Sequence, residues 1–290
     1  MDARLLDGID SQISYMHQVS GPLQIDFHLH DGCEIYLLLS GDVRYFVEGT
    51  MYALSPGDLV ITNPLEIHKP TFTSDARYER IYLQFDPRFI DAFSTASTDL
   101  LRCFYDRPKG IGNRLPHALV EAAGVLPLLR RYGELLRAES GEVGRAQRQL
   151  ACLLELLTVL GEQYERAGHH PLSVTVHEKL SAALTWIDAH LAEDLSLATL
   201  ERELFIDRFY LSKLFKRHVG STIHAYIIYK RIVLARQLLA AGCSVAEARE
   251  RSGFTDYTSF LQMFKRTVGV LPKDYAGRLR SLHGVGVGRE

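Results

Sequence analysis

The sequence predicts an α+β chain of two domains, an N-terminal β-barrel followed by a helical hairpin and a C-terminal all-α domain. Three observations predict it. At 290 residues the chain exceeds one typical hydrophobic core. Residues 23–85 alternate short β-rich runs with turn chemistry, and beyond Pro87 the apolar period changes from two to that of a helix. The C-terminal region repeats itself with an offset of 49 residues.

In the first domain, Glu34 to Leu39, a turn at Ser40-Gly41-Asp42 and Val43 to Val47 read as a hairpin. Met51 to Leu54 leads through Ser55-Pro56-Gly57-Asp58 into Leu59 to Thr62, and Asn63-Pro64 breaks the next connection. Arg77 to Phe85 reads as a further strand. Val120 to Ala138 and Arg145 to Glu165 carry apolar residues at three- and four-residue spacing and predict the helical hairpin. Gly161 to Thr175 loses that pattern. Domains are therefore expected at 1–165 and 176–280, with a linker at 166–175 and a Gly-rich, frayed tail at 281–290.

With 47% apolar and 23% charged residues, the composition is that of a soluble globular protein and excludes large-scale disorder. Cys33, Cys103, Cys152 and Cys243 have no C-x-x-C spacing and are expected as free thiols in a reducing compartment. Met1 to Ser20 has acidic residues and no apolar run, which argues against a signal peptide, and no stretch reaches the ~20 apolar residues of a spanning helix. A cytoplasmic protein with no membrane partner is expected. The net charge of −2 hides an asymmetry. Residues 176–290 hold 17 Lys and Arg against 12 Asp and Glu, or +5, leaving −7 for residues 1–175. A basic C-terminal part points to a polyanion partner.

Leu200 to Gly220 aligns with Arg249 to Gly269, and nine of 21 positions are identical, among them Phe205/Phe254, Asp207/Asp256, Phe215/Phe264, Lys216/Lys265 and Gly220/Gly269. Each copy has the parts of a helix-turn-helix. A short amphipathic helix, Leu197 to Leu204 or Ser244 to Ser252, precedes a tight turn, an Asp placed to cap the next helix, and a Gly able to end it. At 100° per residue, Leu211, Leu214 and Phe215 face inward in the first copy, and Phe260, Met263 and Phe264 in the second. The outward sets, Arg208, Phe209, Ser212, Lys213 and Lys216, and Tyr257, Thr258, Leu261, Gln262 and Lys265, are expected to read bases and phosphates. Between the copies, Ser221 to Ala241 reads as one helix with Ala225, Ile228, Ile232 and Ala235 on its buried stripe. About 20 residues at ~1.5 Å each span roughly 30 Å, near the ~34 Å helical repeat of DNA.

The stretch from Ser196 to Tyr275 resembles the AraC/XylS family of transcription regulators. Leu211-Ser212-Lys213-Leu214-Phe215-Lys216 with Gly220, then Tyr226 and Arg231 with Ala235 and Leu238-Leu239, then Gly253-Phe254, Phe260, Phe264-Lys265, Gly269 and Pro272 with Tyr275 stand where that family's signature has them. The resemblance implies a seven-helix domain whose two recognition helices enter adjacent major grooves of double-stranded DNA. Gln262 departs from it, since the family often carries Arg there, and Leu261 beside it is suited to a thymine methyl. Ile223 sits near where a Pro is common.

His28, His30, Glu34 and Gly41, followed by Pro56-Gly57-Asp58 and then Pro64 to His68, resemble the two cupin motifs over residues 20–85. Many AraC-type regulators carry such a barrel as their effector domain. On a strand, His28, His30 and Glu34 would point to one face and converge with His68. Three readings stay open: a divalent transition metal as cofactor, held by these four residues; a metal-free site in which His28, His30, Glu34, Tyr36, His68 and Arg80 bind a sugar or other polar effector; or a packing role. Leu150, Leu153, Leu154, Leu157 and Leu160 form a stripe expected to serve dimerisation. The whole reads as a regulator and not an enzyme, a homodimer that binds DNA and a small effector and can engage RNA polymerase, with activation or repression left open. The competing reading is a metal-dependent cupin enzyme fused to a helical module.

Overall fold

The computed structural model describes residues 12–21, 25–137, 142–166 and 177–283, so most of the expected linker and tail lie outside the described residues. Two compact units emerge. One holds the described residues up to Ile25 and those from His30 to Arg166; the other holds Asp26–Leu29 and the residues from His177 onward.

In the first unit, eight strands form two antiparallel sheets. Strands β1 (Ile13–Ser20), β2 (Cys33–Ser40), β5 (Leu59–Thr62), β7 (Tyr78–Phe85) and β8 (Arg114–Leu115) make a sheet ordered β1-β7-β2-β5-β8. Strands β3 (Val43–Val47), β4 (Thr50–Leu54) and β6 (His68–Phe72) make a second ordered β4-β3-β6. The expected barrel is thus split into a five-stranded and a three-stranded sheet. The β3–β4 hairpin turns through Glu48 and Gly49, both at positive φ, the two-residue turn whose twist suits antiparallel strands.

Strand β2 is apolar at nearly every position because both faces of its sheet are covered. Ile35 and Leu37, with Leu59, Ile61, Ile81, Leu83 and Phe85, bury one face against the helices α4 (Val125–Arg137) and α5 (Arg145–Arg166). Tyr36 and Leu38 bury the other with Val43, Tyr45, Tyr52 and Tyr78. The single helix expected over Val120 to Ala138 is two, α3 (His117–Ala122) and α4, parted at Gly124, whose φ of 65° a helix interior does not adopt. Two further short helices, α1 (Pro87–Asp91) and α2 (Arg102–Tyr105), precede them. Leu153, Leu157 and Leu160 are fully buried in this core, with Leu150 and Leu154 partly so. The leucine stripe expected for dimerisation is therefore mostly spent on holding α5 to α4 and the sheet. All four cysteines are free thiols, and burial pushes Cys103 up to about 12.

The second unit has seven helices among the described residues: α6 (Glu178–Ala189), α7 (Leu197–Leu204), α8 (Arg208–Val219), α9 (Ile223–Ala240), α10 (Val245–Arg251), α11 (Tyr257–Val268) and α12 (Pro272–His283). Side chains cap five of them: Ser196, Asp207, Thr222, Ser244 and Asp256 accept backbone N–H bonds at the starts of α7, α8, α9, α10 and α11. Ser244 and Glu247 form a reciprocal capping box, which holds the Glu247 carboxyl below its ordinary range. Phe27 from the four-residue segment is buried here, its ring 5.9 Å from that of Tyr226 and 5.7 Å from that of Tyr229. No described helix is long and apolar enough to cross a membrane.

Candidate nucleic-acid interface and effector site

Both expected helix-turn-helix units form. Asp207 accepts from the Tyr210 N–H at 2.8 Å and Asp256 from the Ser259 N–H at 2.7 Å, so α8 and α11 start where the repeat places them. Gly220 and Gly269 end these helices in the left-handed region, at φ 69° and 84°. Leu211 and Phe215 on α8, and Phe260 and Phe264 on α11, are fully buried. Met263, expected inward, is half-buried at the core margin.

Of the expected reading residues, Arg208, Phe209, Lys213 and Lys216 on α8 and Tyr257, Thr258, Gln262 and Lys265 on α11 are exposed. Ser212 and Leu261 are half-buried, and Leu261 packs partly against the core beneath α11. Arg208 stacks over the Phe209 ring at 5.2 Å, which orients both side chains at the start of α8.

The copies differ in their turns. In the first, Phe205 is the left-handed residue, at φ 54°, and its ring is 94% exposed. In the second, Gly253 takes the left-handed conformation at φ 85°, and Phe254 after it is 6% exposed in the core. Ile206, not Phe205, fills the place of Phe254. The identity of Phe205 with Phe254 in the repeat is thus not a structural equivalence.

The connecting helix α9 has 18 residues, about 27 Å at ~1.5 Å each. Ala225 and Ile228 are half-buried, while Tyr226, Ile227, Lys230 and Val233 are buried alongside Ile232 and Ala235. Burial on nearly every side, instead of along one stripe, makes α9 the core of its unit. Arg231 on α9 donates to the Leu191 carbonyl at 2.9 Å and the Glu193 carbonyl at 2.7 Å. Buried Lys230 pairs with Asp188 at 2.9 Å, tying α9 to α6. A Cβ on Gly253 would meet the Leu191 carbonyl oxygen at 2.3 Å and Arg231 Nε at 2.9 Å. The second turn, the α6–α7 loop and α9 therefore meet at one close contact, which clamps the second reader to the connecting helix.

In the first unit, His30, Glu34 and His68 come together, though not by strand parity. Strand β2 begins only at Cys33, and His30 precedes a bend at Asp31-Gly32 that presses Gly32 against the Phe85 backbone, where a Cβ would lie 2.7 Å from the carbonyl oxygen. His30 Nδ1 lies 2.8 Å from the Gly32 carbonyl, and His68 Nδ1 lies 2.8 Å from the Glu66 carbonyl. A carbonyl only accepts, so each Nδ1 carries a proton and each ring turns its Nε2 toward Glu34. The two Nε2 atoms are 3.1 Å apart, with Glu34 Oε2 3.2 Å from that of His30 and Oε1 3.7 Å from that of His68. Glu34 accepts from the Tyr45 hydroxyl at 3.0 Å and from Gln84 Nε2 at 2.7 Å. Burial holds the Tyr36 and Tyr45 hydroxyls well above their ordinary range, so both stay protonated.

Two imidazole nitrogens backed by carbonyl acceptors, with a carboxylate, form the donor set that divalent transition ions take, and these three residues would hold one. His28, the fourth expected ligand, belongs to the segment grouped with the second unit, and its Nδ1 lies 3.2 Å from the Asp26 carbonyl. A cleft of about 280 Å³ lined by Gln12, Ser14, His30, Asp31 and Gln84 borders the cluster.

Of the other expected effector residues, Tyr36 is buried with its hydroxyl 2.6 Å from that of Tyr78, and Arg80 is half-buried on the same face of the sheet. A buried network escaped the sequence reading. Arg107 donates to both carboxylate oxygens of Glu66 at 2.7 and 2.6 Å, and Glu66 also accepts from Asn113 and from the Gly110 and Asn63 N–H groups. It fixes the peptide whose carbonyl orients His68. Its partners lie 41 and 47 residues apart, with no local signal to connect them.

Paired, capped helix-turn-helix units on a buried connecting helix, in a chain that also carries a two-sheet domain with a polar centre, form the architecture of a DNA-binding regulator with its own sensor. Residues 23–170 match the family model described as an AraC-like ligand binding domain, and residues 200–278 match one described as a helix-turn-helix domain. The chain belongs to the AraC family of transcription regulators. It is 36% identical over 115 residues to the regulatory protein PocR of Salmonella typhimurium, covering 39% of this chain and 38% of PocR. The arabinose operon regulatory protein of Salmonella typhimurium is 25% identical over 254 residues, covering 84% of this chain and 83% of that protein. The transcriptional activator RhaS of Escherichia coli is 22% identical over 257 residues, covering 87% and 88%. The chain spans well under half of PocR's length.

Proposed function

We propose that this regulator reads a specific DNA sequence with α8 and α11, and that a small polar effector bound in its two-sheet domain modulates that binding. The observation that carries the first part is the sorting of side chains on both second helices. Arg208, Phe209, Lys213 and Lys216, and Tyr257, Thr258, Gln262 and Lys265, stay exposed while their inward neighbours are buried. Ser212 and Leu261 flank these sets. Arg and Lys supply phosphate contacts, and Gln262 suits an adenine edge.

The effector site is read as the His30, Glu34 and His68 cluster with Tyr36 and Arg80. Hydroxyls of a sugar or a similar polar metabolite match these donors and acceptors. A divalent transition ion on the same residues is the second reading, favoured by the facing Nε2 atoms. Either occupant acts by binding one conformational state more tightly than another. The protein is read as a cytoplasmic homodimer that acts on RNA polymerase at its promoter, and as a regulator in preference to an enzyme because its matched relatives are named as regulators.

Footprinting on the DNA upstream of the adjacent operon tests the DNA reading. Two protected patches are expected one helical turn, about 10 base pairs, apart on one face for each chain bound. Lys213→Ala with Lys216→Ala should thin one patch and Gln262→Ala with Lys265→Ala the other. A single patch that responds to both pairs would contradict two independent readers.

A further inference from the structure

The inner face of strands β1 and β7 carries a polar pair that neither the core nor the histidine cluster uses. Their register sets Ser20 opposite Tyr78, Gln18 opposite Arg80, Met16 opposite Tyr82 and Ser14 opposite Gln84. Arg80 is half-buried, its guanidinium 5.8, 5.6 and 5.1 Å from the ring centres of Tyr36, Tyr78 and Tyr82. One terminal nitrogen donates to Gln18 Oε1 at 3.0 Å. Its Nε is fully enclosed and meets no acceptor among the described residues. Ser20 Oγ, diagonal to it on the next pair of the ladder, is likewise enclosed and unpaired.

The guanidinium sits among rings, with Glu34 acting on it through space and no ion-pair contact to a carboxylate among the described residues. Ring faces attract it but accept no hydrogen bond at Nε. Enclosed polar atoms in folded proteins nearly always have partners, and two adjacent exceptions on one face mark a place where a ligand supplies them. The missing chemistry is anionic, with two acceptor oxygens able to take Nε–H and Oγ–H together. The Tyr36–Tyr78 hydroxyl pair uses one proton between its oxygens and leaves a second as a further donor. Arg80 stands four residues of extended strand, roughly 13 Å, along β7 from Gln84, which donates to Glu34, so it forms the far end of the polar face that carries the histidine cluster.

We infer that Arg80, Ser20 and the Tyr36–Tyr78 pair form a carboxylate subsite, and that the effector is a small organic acid. The inference rests on the reading of the two-sheet domain as the sensor and narrows its ligand from polar to anionic.

Thermal melting of the full chain tests it, with gluconate set against glucose and succinate against 1,4-butanediol. At least one carboxylate should raise the melting temperature by several degrees while its neutral analogue does not. Arg80→Gln gives up the ring contacts and the guanidinium bond to Gln18, so it should melt somewhat lower than the parent without ligand, stay folded, and lose the carboxylate response. Ser20→Ala should keep the fold and weaken the apparent affinity roughly tenfold, as expected for one lost hydrogen bond to a charged group. Equal shifts with acid and neutral analogue, no shift with any carboxylate, a response to inorganic phosphate alone, or a retained response in Arg80→Gln would each overturn the subsite. DNA binding measured on the same samples separates the two readings: a neutral polyol that shifts melting and DNA affinity leaves the sensor standing and removes only the anion.

Discussion

The two helix-turn-helix copies share nine of 21 residues, yet the same phenylalanine does opposite things in them. Phe254 is packed at 5.2 Å from the Phe260 ring, while Phe205 stands in solvent at the left-handed corner of the first turn. The difference lies in where the chain reverses. The second copy reverses at Gly253, three residues before its capping Asp256; the first reverses at Phe205, two residues before Asp207. The caps, the glycine stops and the inner phenylalanine Phe215/Phe264 are preserved because each is required by a single helix. The turn is free to move because any path that brings the two helices together will serve. What the outer faces carry differs too, with Lys213 and Lys216 in the first copy and Gln262 and Lys265 in the second.

The largest effect expected from this contrast comes from truncating the two phenylalanines. Phe254→Ala should cost about 3–5 kcal/mol of unfolding free energy, as for a buried ring. Phe205→Ala should stay within about 0.5 kcal/mol, since the ring is exposed and alanine meets the same left-handed strain. Chemical denaturation of both variants checks this, and equal losses would restore the equivalence suggested by the repeat. Next comes Gly253→Ala, expected to cost about 2–3 kcal/mol, because a methyl group would press on the Leu191 carbonyl at a positive φ that alanine resists. The same variant should weaken the second footprint more than the first. A stable protein with both footprints intact would show that the clamp between the second turn, Arg231 and the α6–α7 loop does not position the reader.

How much of this was legible depends on the range of the interaction responsible. The caps at Asp207 and Asp256 and the stops at Gly220 and Gly269 involve residues within one turn, and sequence spacing alone located them. Strand β1 went unread because it is an edge strand with mixed exposure, Met16 and Val19 facing water, so no clean alternation marks it. The gathering of His30, Glu34 and His68 was anticipated, but its cause was not, since it depends on a bend packed against Phe85 instead of on strand parity. Leu153, Leu157 and Leu160 looked surplus to one sheet because the partner helix α4 could not be weighed as part of the same core. The placing of Ser20 diagonally beside Arg80 follows from the β1–β7 register, which no local pattern encodes.

The salt dependence of DNA affinity, measured by fluorescence anisotropy for the parent and for Lys213→Ala with Lys216→Ala, tests the reading of the exposed faces most directly. Loss of two phosphate contacts should weaken binding and flatten the slope of log affinity against log salt by about 1.8. An unchanged affinity and slope would mean that α8 does not face DNA, and the account of this chain as a two-reader regulator would fail with it.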